Sequence, residues 1–102
     1  MRIKHSVKPI GIKPELSLGL LAANSAYEEL GYEMVITSIT DSEHKATHSL
    51  HYTGNAADLR TRNVPEEKHQ LLLELIKSKL NNQYTVILES NHIHISFKPV
   101  YL

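Results

Sequence analysis

The sequence predicts an α+β fold, a small antiparallel sheet with two main helices packed on one side. Three observations carry this reading. Two segments repeat apolar residues at helical spacing. EMVITSI, from Glu33 to Ile39, is rich in β-branched residues. Near the C-terminus, two strand-like runs are separated by Ser90-Asn91 alone. No internal repeat, low-complexity tract or Pro/Gly-rich linker divides the chain, so residues 1–102 are read as one domain.

Taken in order, Met1 to Lys13 reads as extended, because Pro9 and Pro14 discourage helix. Pro14 suits a first helical position, and PELSLGLLAANSAYEELG follows as an amphipathic helix. Leu16, Leu20, Ala23, Tyr27 and Leu30 form its apolar side, and Gly31 is the stop. After the strand from Glu33 to Ile39, the polar run TDSEHKATHS reads as a loop, and Ala56 to Arg60 as a short strand. Val64 to Leu80 reads as the second helix, apolar at Leu71, Leu72, Leu75, Ile76 and Leu80.

Composition narrows the functional classes. Hydrophobic residues make up 41%, an ordinary globular value, and 11 basic residues balance 11 acidic ones. A nucleic-acid binder carries a basic excess, so no nucleic-acid partner is expected. The absence of cysteine excludes disulfides and thiolate metal ligands. MRIKHSVKPIGIKPELS lacks the apolar stretch of a signal peptide, which predicts a cytoplasmic location. No run approaches the roughly 18 apolar residues of a membrane span, so no insertion is expected. The protein is expected to be a monomer.

Histidine is the outlier. Of 7 histidines, His44, His48, His51, His92 and His94 fall in two short segments. In YTVILESNHIHISF a two-residue hairpin at Ser90-Asn91 sets Glu89 opposite His92. Alternation then places Glu89, His92, His94 and Ser96 on one face, with Val86, Leu88, Ile93, Ile95 and Phe97 on the core face. His51 and Asp58 are joined by a Gly-containing turn, and Ala56 leaves space on the face of Asp58. Together with one imidazole of the His92/His94 pair they compose a His-Asp-His set. Zinc accepts such imidazole and carboxylate donors, and catalytic sites leave a fourth position for water. Lys8, Lys98, His5 and His69 read as solvated surface residues.

The string SLHYTGNAADL resembles the S-x-H-x-x-G-x-A-x-D-L pattern of M15-type zinc peptidases, the D-Ala-D-Ala carboxypeptidases and related peptidoglycan peptidases. LESNHIHISFK resembles their C-terminal HxH segment, and GYEMVITSITDSEH is similar to the preceding strand and loop of small phage-encoded members. Both motifs are also similar to the N-terminal signalling domain of hedgehog proteins, which shares this zinc fold. The resemblance implies that His51, Asp58 and His94 bind zinc, with Glu89 as catalytic base and His92 in the active site. It also implies that Ser49 hydrogen-bonds substrate and that His44 approximates a further active-site histidine. Two departures stand out: Glu89-x-x-His92 offers His92 as an alternative ligand, and the arginine that many members carry near Thr37-Ser38 for a substrate carboxylate has no counterpart.

The implied function is zinc-dependent hydrolysis of peptidoglycan stem peptides beside a D-amino acid. It would be of the D-Ala-D-Ala carboxypeptidase or L-alanyl-D-glutamate endopeptidase type. Without a signal peptide, the cell wall would be reached by phage lysis, as by an endolysin. The rival expectations are a non-catalytic zinc-binding module and a virion-associated structural protein.

Overall fold

The structure, a computed structural model, describes residues 1–7, 12–41 and 55–97. Its elements run β1 (Arg2–Ile3), α1 (Pro14–Leu30), β2 (Val35–Asp41), β3 (Asn55–Arg60), a 3-10 turn (Glu66–Lys68), α2 (His69–Ser78), β4 (Tyr84–Leu88) and β5 (His92–Phe97). The strands form a five-stranded sheet in the order β1-β2-β3-β5-β4. Every pairing is antiparallel except β1 with β2, so the sheet is mixed where antiparallel was expected. The exception follows from the connection: α1 lies between β1 and β2, and a helical crossover returns the chain in a parallel sense.

Helix α1 occupies the predicted span and ends at Gly31, whose φ of 87° is the left-handed conformation that glycine adopts without steric cost. Leu16, Leu20, Ala23, Ala26 and Tyr27 are buried along one side of it. They pack with Leu72, Leu73 and Ile76 of α2 and with Ile36, Ala57, Leu59, Val86, Ile93 and Ile95 of the sheet. Gly19 is needed for this packing: a Cβ there would lie 2.7 Å from Cε2 of Tyr84. That ring cannot easily yield. It meets Phe97 edge-on at 5.2 Å between centroids, and its hydroxyl donates to the Glu15 carbonyl at 2.6 Å.

The second helix, His69–Ser78, is shorter than the expected Val64 to Leu80, with only a 3-10 turn at Glu66–Lys68 before it, and it departs from expectation in two further, linked ways. Leu71 is 48% exposed, while Leu73 is buried. His69 is not a solvated residue, because its Nε2 lies 2.8 Å from the Val64 carbonyl and 3.1 Å from that of Thr61. Both partners are acceptors, so Nε2 carries the proton. The contact sets the rotation of the helix. With His69 turned inward, Leu72, Leu73 and Ile76 follow at helical spacing and Leu71 faces water. Within the run Leu71-Leu72-Leu73, composition alone leaves that rotation undetermined.

Strand β2 carries a bulge. Ile36 pairs with Leu59 and Ser38 with Asp58, leaving Thr37 as the extra residue. Ile36 is buried and Ile39 packs against the same core, although strict alternation would turn residues three apart to opposite faces. The bulge resets the alternation and leaves Thr37 and Ser38 together between the two core contacts.

Candidate functional site

Both helices contribute to the core on one side of the sheet. The opposite face carries the polar residues of β3 and β5, and the register aligns them in rows. Ser38, Asp58, His94 and Ile87 form one row, because Asp58 pairs with both Ser38 and His94, and His94 with Ile87. Arg60 and His92 form the next. Glu89 completes it across the hairpin, where its N–H donates to the His92 carbonyl at 2.8 Å. Ser90-Asn91 is thus the two-residue turn expected from the sequence. Neither residue has positive φ, so the turn is not of the primed type that Asn-Gly favours.

Asp58 is the centre of this face. Its Oδ1 lies 3.1 Å from Nδ1 of His94 and 3.6 Å from Nε2 of His92. The ring of His92 is oriented from its other nitrogen, which lies 2.6 Å from Oδ1 of Asn91. The three side chains keep 29–34% of their surface exposed, so all remain accessible from solvent.

Two hydrogen bonds hold the backbone beneath them. The Thr37 hydroxyl donates to the Asp58 carbonyl at 3.3 Å, and the Tyr27 hydroxyl donates to the Arg60 carbonyl at 2.7 Å. Burial pushes the Tyr27 phenol far above its ordinary pKa of 10.0, so it stays a neutral donor. Sequence periodicity marks Tyr27 only as an apolar position. Its polar tip, reaching β3 from the core side, goes unnoticed there.

The sequence-derived site is divided by what the structure describes. Asp58, His92 and His94 come together, while Glu89 shares their face, exposed at the hairpin corner. His44, His48, Ser49 and His51 lie outside the described residues, as do Lys8 and Lys98. Among the described residues no group of three His, Cys, Asp or Glu side chains is arranged to hold a metal ion. Two of the three donors expected for zinc do meet, however. Tetrahedral ligands about 2.0 Å from zinc are separated from one another by about 3.3 Å. The 3.1 Å between Asp58 Oδ1 and His94 Nδ1 is close to that edge. The donor chemistry, one carboxylate and one imidazole, fits as well.

Beside this group an open pocket of about 300 Å³ is lined by Lys4, Thr37, Asp58, Arg60, Arg62, Asn91 and His92. Glu89 is not among its walls. Three cations at one pocket could not be foreseen from the sequence, since Lys4 arrives from beyond β1 and Arg62 from beyond β3.

No helix among the described residues is long and apolar enough to cross a membrane. No curated protein and no solved structure matches the chain. A family model does, that of the Hedgehog amino-terminal signalling domain, over residues 16–96. That span runs from the first buried leucine of α1 to the penultimate residue of β5 and includes Asp58, His92 and His94. The chain belongs to the Hedgehog amino-terminal signalling domain family.

Proposed function

We propose that the open face is the active site of a zinc-dependent peptidase acting on the stem peptides of bacterial peptidoglycan beside a D-amino acid. The observation that carries the reading is the meeting of Asp58 and His94 at 3.1 Å, with His92 beside the same carboxylate oxygen. Asp58 and His94 would hold the metal together with His51. Bound there, zinc supplies a polarised carbonyl and a water of lowered pKa.

The remaining work belongs to side chains of this chain. Glu89, at the hairpin corner, takes the proton of the attacking water and returns it to the leaving amine. With Nδ1–H held by Asn91 Oδ1, His92 can donate from Nε2 to the carbonyl oxygen only as the imidazolium, and in that form it stabilises the charge that develops there. Asn91 holds its ring, and Thr37 and Tyr27 hold the strand that presents Asp58. The substrate class is supported by the motif SLHYTGNAADL and the HxH segment, and a phage lysis setting by the similarity of GYEMVITSITDSEH to small phage-encoded members.

A second reading is a zinc-holding binding module without turnover. The signalling-domain match supports it, as does the position of Glu89 off the pocket wall. Mass spectrometry of defined muropeptides after incubation with the protein separates the two. Cleavage that falls by about 100-fold or more in Glu89→Gln, with zinc content and melting temperature unchanged, is the expected result. Wild-type protein that holds zinc and cleaves nothing, with Glu89→Gln indistinguishable from it, supports the binding module.

A further inference from the structure

The two edges of the sheet are unequal. β1, at one edge, is two residues long. β4, at the other, pairs with β5 without interruption from Tyr84 to Leu88, and its sequence YTVIL contains neither a charge nor a proline. Short strands, bulges, lysines and prolines keep an edge from pairing with another chain, and β4 has none of these devices. The hydrogen-bond pattern identifies its outward groups. Glu89 donates its N–H to the His92 carbonyl, and bonded pairs alternate from there, so Thr85, Ile87 and Glu89 are bonded to β5. Val86 and Leu88 point their N–H and C=O groups outward, and among the described residues nothing meets them. Ile87 lies between the two, in the row of His94 on the open face, and is 44% exposed.

We infer that β4 pairs antiparallel with β4 of a second copy of this chain, about a two-fold axis at Ile87. The edge is complementary to itself in that register. Val86 falls opposite the partner subunit's Leu88, so the two exchange both of their N–H···O bonds, and the axis repeats the exchange. Ile87 falls opposite the partner subunit's Ile87 in the non-bonded position, where facing side chains are closest. Thr85 falls opposite the partner subunit's Glu89, so no like charges face one another across the new ladder. The zero formal net charge of the chain leaves no long-range repulsion between copies. A strand of another protein would have to supply its own apolar residue against Ile87, whereas a second copy brings it at the right place. With β1 too short to serve as another pairing edge, assembly closes at two chains.

The axis stands perpendicular to the sheet, so both open faces lie on the same side. The row of Ser38, Asp58, His94 and Ile87 then continues through the partner subunit's Ile87 into the matching row of the second copy. His94 residues of the two copies are three strand spacings apart, roughly 14 Å at about 4.8 Å per spacing. One strand edge is a small interface, so association is expected only at about 0.1–1 mM. The monomer expected from the sequence is the dilute form. Neither zinc nor turnover is needed for the pairing, which stands apart from the peptidase reading.

Sedimentation of the zinc-free full chain between about 10 μM and about 2 mM reads the association, and amide hydrogen exchange locates it. The average mass should rise from one chain toward two and no further. The Val86 and Leu88 amides should exchange rapidly in dilute protein and about twofold or more slowly at the highest concentration. Those of Thr85 and Ile87, bonded to β5, should stay protected throughout. Ile87→Lys sets two lysines face to face at the axis and should abolish both the mass increase and the added protection, with the dispersion of the NMR spectrum preserved. Ile87→Thr keeps the β-branched shape and should weaken association about tenfold, through the lost apolar contact. Leu71→Lys, at an equally exposed leucine of α2, should change neither readout. A chain that stays monomeric to about 2 mM would overturn the pairing, as would growth past two copies. So would protection of Val86 and Leu88 that ignores concentration, or association lost in Leu71→Lys and kept in Ile87→Lys.

Discussion

Along β3 and β5, Ala57, Leu59, Ile93 and Ile95 are 0–1% exposed, whereas Asp58, His92 and His94 retain 29–34% of their side-chain surface. The two sets alternate residue by residue on the same two strands. One face meets two helices and is made of carbon; the other meets solvent and gathers a carboxylate, two imidazoles and a guanidinium. Because each backbone segment serves both, the apolar set fixes the register that brings the polar set together. A slip of one residue would turn every one of these side chains to the opposite face. Stability and function are therefore separable by substitution, although they are not separable in space.

The sharpest way to break that comparison is to change one residue on each face. Ile95→Ala should destabilise the protein by about 2–5 kcal/mol, through lost burial and the cavity left behind. Asp58→Ala, in zinc-free protein, should cost under about 1 kcal/mol, the usual value of a partly exposed ion pair. Chemical denaturation of the two variants measures both. Similar losses would show that the open face is a structural network.

A smaller effect is expected where α1 crosses the sheet. In Gly19→Ala the new methyl meets the Tyr84 ring, which Phe97 and the Glu15 carbonyl hold in place. Overpacking of about 1–3 kcal/mol is offset in part by roughly 1 kcal/mol of helix propensity, leaving a net loss. A raised melting temperature would mean that the helix shifts freely over β4 and β5.

Tyr27 connects the two faces, since it is buried on one and bonds the backbone of Arg60, which serves the other. Tyr27→Phe should cost about 1 kcal/mol at neutral pH. Its alkaline behaviour is more specific. The unfolded chain ionises this phenol near the ordinary 10.0, whereas burial keeps it protonated in the folded chain. Above pH 10 the unfolded state binds fewer protons, so the contribution is complete below that pH and lost as the pH rises beyond it. Tyr84, also raised by burial and by Glu15, adds in the same sense. Stability plotted against pH should fall less steeply above 10 in Tyr27→Phe than in wild type. An unchanged slope would place the alkaline sensitivity elsewhere.

Much of the apolar face was legible in the sequence because periodicity is a direct image of burial. The span of α1, the hairpin at Ser90-Asn91 and the alternation of His92 and His94 with Ile93 and Ile95 all follow from it. Where residues of one type run together, the signal fails. In Leu71-Leu72-Leu73 periodicity picks Leu71 for the apolar side, whereas Leu73 is buried and His69, expected on the surface, is turned inward onto two carbonyls. The bulge at Thr37 was invisible because it depends on pairing with β3. On the open face, Asp58 and the two histidines were legible as donor types at suggestive spacing. The cation group was not. No arginine lies near Thr37 in the sequence, yet the pocket that Thr37 lines has Lys4, Arg60 and Arg62 on its wall. Only the order of the strands brings them there.

The central claim, that Asp58 and His94 are zinc donors, is tested most directly by competition with a chromogenic chelator. Wild type, His94→Ala and His92→Ala are compared in parallel. Wild type should take up about one zinc per chain. His94→Ala should lose affinity by about a hundredfold or more, beyond what loss of an outer partner causes. His92→Ala should bind zinc within a few-fold of wild type, since its ring lies farther from the shared carboxylate oxygen. Wild type that competes for no zinc, or His94→Ala that binds it as tightly as wild type, would contradict the account.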